Sequence, residues 1–341
     1  MRNREIDFIR GVAIVIMVAA NAAPNLLESS DTNIYFRFIG SLAAPLFIFL
    51  SGVTFRINAE KNKKELLQNG FILILTAALV DVCIWGILPF STFDVLYLIG
   101  ISQVVYFFFH KLPAYLNGII VTVGFLVFFL LKSMVEYRFE ISDVNILELN
   151  QIDTHALLNL NVIRRLIFDG WFPMFPWMFF FGLGYLLRFD TLIQVMSKVW
   201  FFFFSSSLFV FGVFLIFHDQ TIQDFRDGYI ELFYPITLDF LLMVFGWLGV
   251  MIALSRVFIN QLNIGRFLIY LGERSLFVYI LHLVVISAVL SNFSKLSLGQ
   301  FLLVFALFIF LIVLVLVILD TEKCRELRGS LPRLFRKIMG I

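Results

Sequence analysis

The chain has 341 residues, 61% of them apolar and only 15% charged, with a formal net charge of +2 and a mean hydropathy of +0.95. A water-soluble domain of this composition would lack the polar residues to cover its own surface, so lipid is the main solvent. Two cysteines, Cys83 and Cys324, exclude a disulfide framework.

Apolar stretches of roughly 17–25 residues, the length that crosses a ~30 Å hydrocarbon layer, recur along the whole chain. Backbone groups in lipid must be satisfied within each segment, which predicts helices; barrel strands would be shorter and would alternate polar with apolar residues. The reading is an all-α polytopic membrane protein with transmembrane helices at about 6–24, 34–55, 69–90, 94–110, 114–132, 170–187, 199–217, 231–255, 268–291 and 298–319. That gives about ten crossings in a single membrane domain. Residues 133–169 form a long extracytoplasmic loop, and 320–341 a basic cytoplasmic tail. Most of the 26 Lys and Arg residues fall on the side of the termini, including Lys61, Lys63, Lys64, Arg256 and Arg266, which puts both termini in the cytoplasm.

Ionisable and polar residues inside such helices are costly, and they direct the search for function. In the first helix Asp7 and Arg10 stand three apart on one face, close enough to pair. This early Asp–Arg pair and the lack of a small-residue cleavage site predict a retained helix rather than a signal peptide. Asn21 lies on the same face about three turns further on. The second helix opens with Arg37, places Ser41 one turn later and is interrupted by Pro45, which frees a backbone carbonyl. Asp81 in the third helix and Asp239 in the eighth have apolar residues on both sides, so each is expected to face the bundle interior, paired or protonated.

In the long loop, Ala156 to Phe168 has the pattern of a helix lying on the membrane surface. The run Gly170-Trp-Phe-Pro-Met-Phe-Pro-Trp177 opens the sixth helix and suits either an aromatic interface belt or an aromatic platform beside an acceptor, with Trp171 and Trp177 as the platform. In the ninth helix Ser275, Tyr279 and His282 form one stripe, and His282 lies near mid-membrane. An imidazole can act as a general base near neutral pH, which makes His282 the strongest candidate for chemistry. The other histidines, His110, His155 and His218, have no ligand spacing, so no metal site is expected. Together Asn21, Arg37, Asp81, Trp171, Asp239 and His282 fall at middle or outer depth, which suggests a cavity opening outward.

The first helix, Ile6-Asp-Phe-Ile-Arg-Gly-Val-Ala followed by Asn21, resembles that of the heparan-α-glucosaminide N-acetyltransferase catalytic-domain family, which belongs with the wider transmembrane acyltransferases. Ala44-Pro-Leu-Phe-Ile-Phe-Leu-Ser-Gly52, Phe93-Asp-Val-Leu-Tyr-Leu-Ile-Gly100 and Leu271-Gly-Glu-Arg-Ser-Leu-Phe-Val-Tyr-Ile-Leu-His282 are similar to further family stretches in the right order. Gly170 to Gly184 is similar to a segment of bacterial relatives, and a bacterial cytoplasmic membrane is the expected location.

The resemblance implies transfer of an acyl group, acetyl above all, from acyl-CoA to a sugar or cell-envelope glycan. Asn21 would stabilise the acyl oxyanion, and Arg10 and Arg37 would bear on the donor. His282 would be the base, oriented by Asp81 or Asp239, with Ser275, Tyr279, Trp171 and Trp177 toward the acceptor. The family's catalytic histidine lies in the outer connection between helices 1 and 2. This chain has Ser29-Ser-Asp-Thr-Asn33 there, and Asp31 is a weaker base than His282. Expected partners are the acceptor sugar and membrane lipid, with no nucleic acid and with a homodimer left open. A transporter or lipid-handling protein using Asp81 and Asp239 is the rival class, and an acyltransferase-like protein that binds without turnover is a third reading.

Overall fold

The computed structural model describes residues 3–27, 36–59, 63–91, 93–134, 161–196, 198–218, 236–261, 263–292 and 294–321. The basic tail beyond Thr321, most of the long loop and the Ser29–Asn33 connection lie outside these. All regular structure among the described residues is helical, and extended pairing is confined to isolated bridges such as that between Leu27 and Leu296. The protein is an all-α polytopic membrane protein. Among the described residues, seven helices are long and apolar enough to cross a membrane alone, and counting each of two bent pairs as one span gives up to nine.

Helix α1 (Arg4–Leu26) starts where the Asn3 side chain accepts a hydrogen bond from the Ile6 N–H at 3.1 Å, with Glu5 and Asp7 in its first turn. The second span covers Phe36–Ala59, but its regular helix α2 is Ala43–Ala59. A turn at Ser41 and Leu42 separates the two parts. Pro45 therefore sits in a first helical turn, where its missing N–H costs little, rather than breaking a continuous helix as the sequence suggests.

Helix α3 (Lys63–Val80) runs into a π-helical turn at Asp81–Trp85, which Gly86 ends with φ of 66°. The next helices are α4 (Val95–Phe109) and α5 (Ala114–Leu131). At 15 residues α4 spans ~22 Å, short of a full crossing. A helical turn at Asn161–Arg164 and a π-turn at Arg165–Asp169 replace the end of the predicted surface helix, and with α6 (Met174–Leu186) they form a pair bent by 54°. Helices α7 (Phe189–Met196) and α8 (Val199–His218) follow. Helix α9 is Leu238–Gln261.

The sequence reading draws one helix over 268–291, but the chain forms two: α10 (Asn263–Glu273) and α11 (Ser275–Ala288), bent by 84° at Arg274. Helix α12 (Leu298–Leu319) starts on a capping box, Ser297 with Gln300.

The chain groups into two compact units, and the division falls within α2 and α9. The first comprises the chain to Leu46 and from Trp247 on; the second is Phe47–Gly246. In the first unit α1 crosses α10 so closely that a Cβ on Gly11 would meet the Leu268 backbone, and one on Gly272 the Asp7 carbonyl. In the second, Gly52 on α2 faces the Phe181 carbonyl and Gly184 on α6 faces the Phe49 carbonyl. Small residues replace hydrophobic driving force where helices pack in lipid, because lipid is as apolar as a leucine side chain. Outward residues such as Phe203, Phe211 and Phe214 on α8 and Leu303 and Phe310 on α12 are exposed, as befits surfaces that meet acyl chains.

Candidate functional site

His282 is fully buried, at 0% exposure, on α11 in the first unit. Its Nδ1 lies 3.1 Å from the Val278 carbonyl oxygen. A carbonyl can only accept, so Nδ1 carries the proton and the neutral ring offers a lone pair at Nε2. Asn21 Nδ2 lies 2.9 Å from that atom and donates to it. Two helices thus converge on one imidazole: α11 fixes the tautomer and ring plane through its own backbone one turn back, and α1 delivers the amide. The ring edge is also covered by Tyr279, whose centroid is 5.5 Å away at 76°. Ser275 is the first residue of α11, two turns before His282 on the same stripe.

This pair is the chemistry-bearing arrangement in the first unit. Nε2 of the fully buried ring carries a lone pair, and the half-buried Asn21 amide is the group that hydrogen-bonds to it. The last turn of α1 is organised around Asn21 as well. Pro24 removes the backbone donor that would serve the Ala20 carbonyl, and the Asn25 side chain donates to the neighbouring Asn21 carbonyl at 3.2 Å.

Other sequence candidates fall elsewhere in the first unit. Arg10 pairs with the buried Asp7 at 3.6 Å near the start of α1, as the spacing predicts. Arg37 is half-buried at the start of the second span, and its backbone carbonyl accepts from both the N–H and the hydroxyl of Ser41, each at 2.9 Å. The sequence reading passes over the cluster that holds the 84° break. Arg274 reaches Asp320, just past α12, at 2.5 Å and lies over the Tyr270 ring at 4.4 Å. The Tyr270 hydroxyl donates to the same carboxylate at 2.8 Å. Arg274 stands in the late-helix motif itself, so its charge beside Gly272 was a legible signal for the break.

Asp81, Asp239, Trp171 and Trp177 belong to the second unit. Asp81, 1% exposed, accepts from the Tyr97 hydroxyl at 2.7 Å and from the Phe90 N–H at 3.2 Å. It anchors the loop after the π-turn, in which Phe90 and Phe93 both hold positive φ, 66° and 56°. Positive φ strains a residue with a side chain and persists only when its surroundings enforce it. Here the carboxylate and the Tyr97 hydroxyl, which lies 3.0 Å from the Phe90 nitrogen, supply that enforcement. Arg165 adds a hydrogen bond to the Ser91 carbonyl at 2.7 Å, and the Phe172 N–H donates to the Phe93 carbonyl at 3.0 Å.

Asp239 is not the mid-helix carboxylate that the 231–255 span implies. Helix α9 begins at Leu238, with the Phe240 N–H 3.4 Å from the Thr237 hydroxyl, and Asp239 sits in the first turn where a negative charge meets the positive helix end. At His282 itself the Nδ1 proton goes to the Val278 carbonyl. Trp177, 1% exposed, is packed among Phe172, Phe180 and Phe240 and is a core residue rather than a platform. Trp171 stays half-buried.

These features define an integral, all-helical membrane protein whose first helix presents a polar amide to a buried histidine. The chain belongs to the family described as heparan-alpha-glucosaminide N-acetyltransferase, catalytic, whose model matches residues 2–189, more than half of the chain. Its function is of the membrane acetyltransferase type. The matched stretch contains Asn21, and His282 lies beyond it. No individual curated protein matches the chain.

Proposed function

We propose that the protein transfers an acyl group, acetyl in the first instance, from acyl-CoA to a hydroxyl or amine of a sugar or envelope glycan. The donor is supplied from the cytoplasmic side of a bacterial inner membrane. The observation that carries this reading is the hydrogen bond between Asn21 and His282 Nε2. In the reaction the acceptor heteroatom bonds to the thioester carbonyl carbon, the C–S bond breaks, and the acceptor's proton passes to Nε2. His282 then returns that proton to the departing CoA thiolate, so the ring ends as it began.

In the resting arrangement the Asn21 amide occupies Nε2. An acceptor reaches the base only by displacing that amide, which is then released to donate to the oxygen of the tetrahedral intermediate. One motion would thus uncover the base and supply the oxyanion donor. Arg10, near the cytoplasmic start of α1, fits attraction of the anionic donor. Trp171, Ser275 and Tyr279 are the acceptor-side candidates. The buried carboxylate that a proton-coupled transporter would use, Asp81, is engaged by Tyr97 and Phe90, and Asp239 lies in a first helical turn rather than in mid-helix, which favours the transferase reading.

The test is transfer of labelled acetyl from acetyl-CoA to amino sugars and envelope glycans by membranes containing the protein. Labelled acceptor should appear with wild type and be lost with His282→Ala. No transfer to any sugar, together with unchanged envelope acylation in His282→Ala cells, would sink the proposal.

A further inference from the structure

Helix α1 ends at Leu26, so the carbonyls of its last turn have no intrahelical donor. Three of them are taken from far along the chain. Lys295 Nζ donates to the Pro24 carbonyl at 2.7 Å and to the Asn25 carbonyl at 3.1 Å. The neighbouring Leu296 N–H donates to the Leu26 carbonyl at 2.6 Å, and Leu296 bridges to Leu27. An ammonium at a helix C-terminus also meets the negative end of the helix dipole.

Lys295 follows α11 by one short connection, and α11 carries His282. The segment with His282 and Lys295 and the segment with Asn21 and Asn25 are therefore joined twice, once at the imidazole and once at the ammonium. The polar chain between the joints is continuous: Lys295 holds the Asn25 carbonyl, the Asn25 side chain holds the Asn21 carbonyl, and the Asn21 side chain holds Nε2. All members lie in the first unit.

We infer that Lys295 is a positioning residue, which fixes the last turn of α1 so that the Asn21 amide rests on His282. It touches neither reacting atom. It sets where Asn21 stands, across a stretch in which Pro24 has weakened the helix's own ladder. The kinetic part of this inference rests on the acyl-transfer reading; the geometric part does not.

Full-length protein in lipid nanodiscs, labelled with 15N in the histidine rings and assigned with His282→Gln, reports the hydrogen bond at Nε2 without turnover. Lys295→Met, which keeps the apolar stem and drops the ammonium, should shift that resonance, and Lys295→Arg should leave it near the wild-type position. Identical spectra for wild type and Lys295→Met would overturn the inference.

With acetyl-CoA and an amino sugar, Lys295→Met should lower kcat about tenfold at unchanged KM for the donor, with recovery in Lys295→Arg. In an Asn21→Ala background the same substitution should cost nothing more, because the effect acts through Asn21. A further full tenfold loss there would count against it. A wild-type protein with no turnover would refute the transferase reading and leave the spectral result to decide on Lys295.

Discussion

The imidazole of His282 is held by two contacts of different kinds, and each predicts a different outcome when removed. The Val278 carbonyl is backbone and survives any side-chain change, so the tautomer is built into α11. The Asn21 amide is replaceable. Asn21→Ala should leave the ring in place yet lower kcat by ~10²–10³, the usual cost of one oxyanion donor, in an assay of CoA thiol release. Asp81 predicts the reverse. Asp81→Ala strands the buried Tyr97 O–H, at roughly 1–3 kcal/mol for an unsatisfied group, while the Phe90 N–H keeps the Tyr97 oxygen as acceptor. Thermal unfolding in detergent should move down clearly, while transfer per folded molecule stays near wild type; a selective loss of transfer would give Asp81 a catalytic role. Both Asn21 and His282 are legible in the sequence as costly polar residues in apolar helices. Their contact is not, because helical periodicity assigns a face to each residue but no neighbour across 261 positions. Trp177 is misread for a related reason: inside a membrane both the protein core and the lipid are apolar, so hydropathy does not say which of them a tryptophan meets.

Among the elements, the break between α10 and α11 matters most to the site. A straight helix over 268–291 would carry Tyr270 and His282 along one axis. The bend at Arg274 instead lets α10 pack along the start of α1 while α11 rises with its histidine toward Asn21. Hydropathy averaged over a window hides this, although Gly272, Glu273 and Arg274 in succession mark it. The same averaging hides the start of α9, where Thr237 and Asp239 form a helix-entry signal within an apolar run. The crossing of α1 and α10 yields a sharp prediction. Gly11→Ala and Gly272→Ala each put a methyl into a partner backbone, which cannot rotate aside. Each should destabilise by ~1–3 kcal/mol. Gly118→Ala, whose Cβ would meet nothing nearby, is the control and should melt with wild type. Equal melting of all four proteins would contradict the close crossing.

For the whole molecule, class and family follow from features that the sequence displays openly: long apolar runs and a family pattern over residues 2–189. Sidedness rests on the Arg and Lys distribution and can be tested with the chain's own thiols. In a Cys83→Ser background, Cys324 in the basic tail should react with a membrane-impermeant maleimide in inverted vesicles and be protected in right-side-out ones. The opposite pattern would reverse the topology and put the proposed donor approach at Arg10 on the wrong face. The central claim is that His282 is the base of an acyl transfer. It is tested most directly by acceptor-dependent release of CoA from acetyl-CoA by the full-length protein in nanodiscs, comparing wild type with His282→Gln. The account predicts release in wild type that requires an amino sugar and falls by at least ~10² in the variant; equal rates for the two proteins would contradict it.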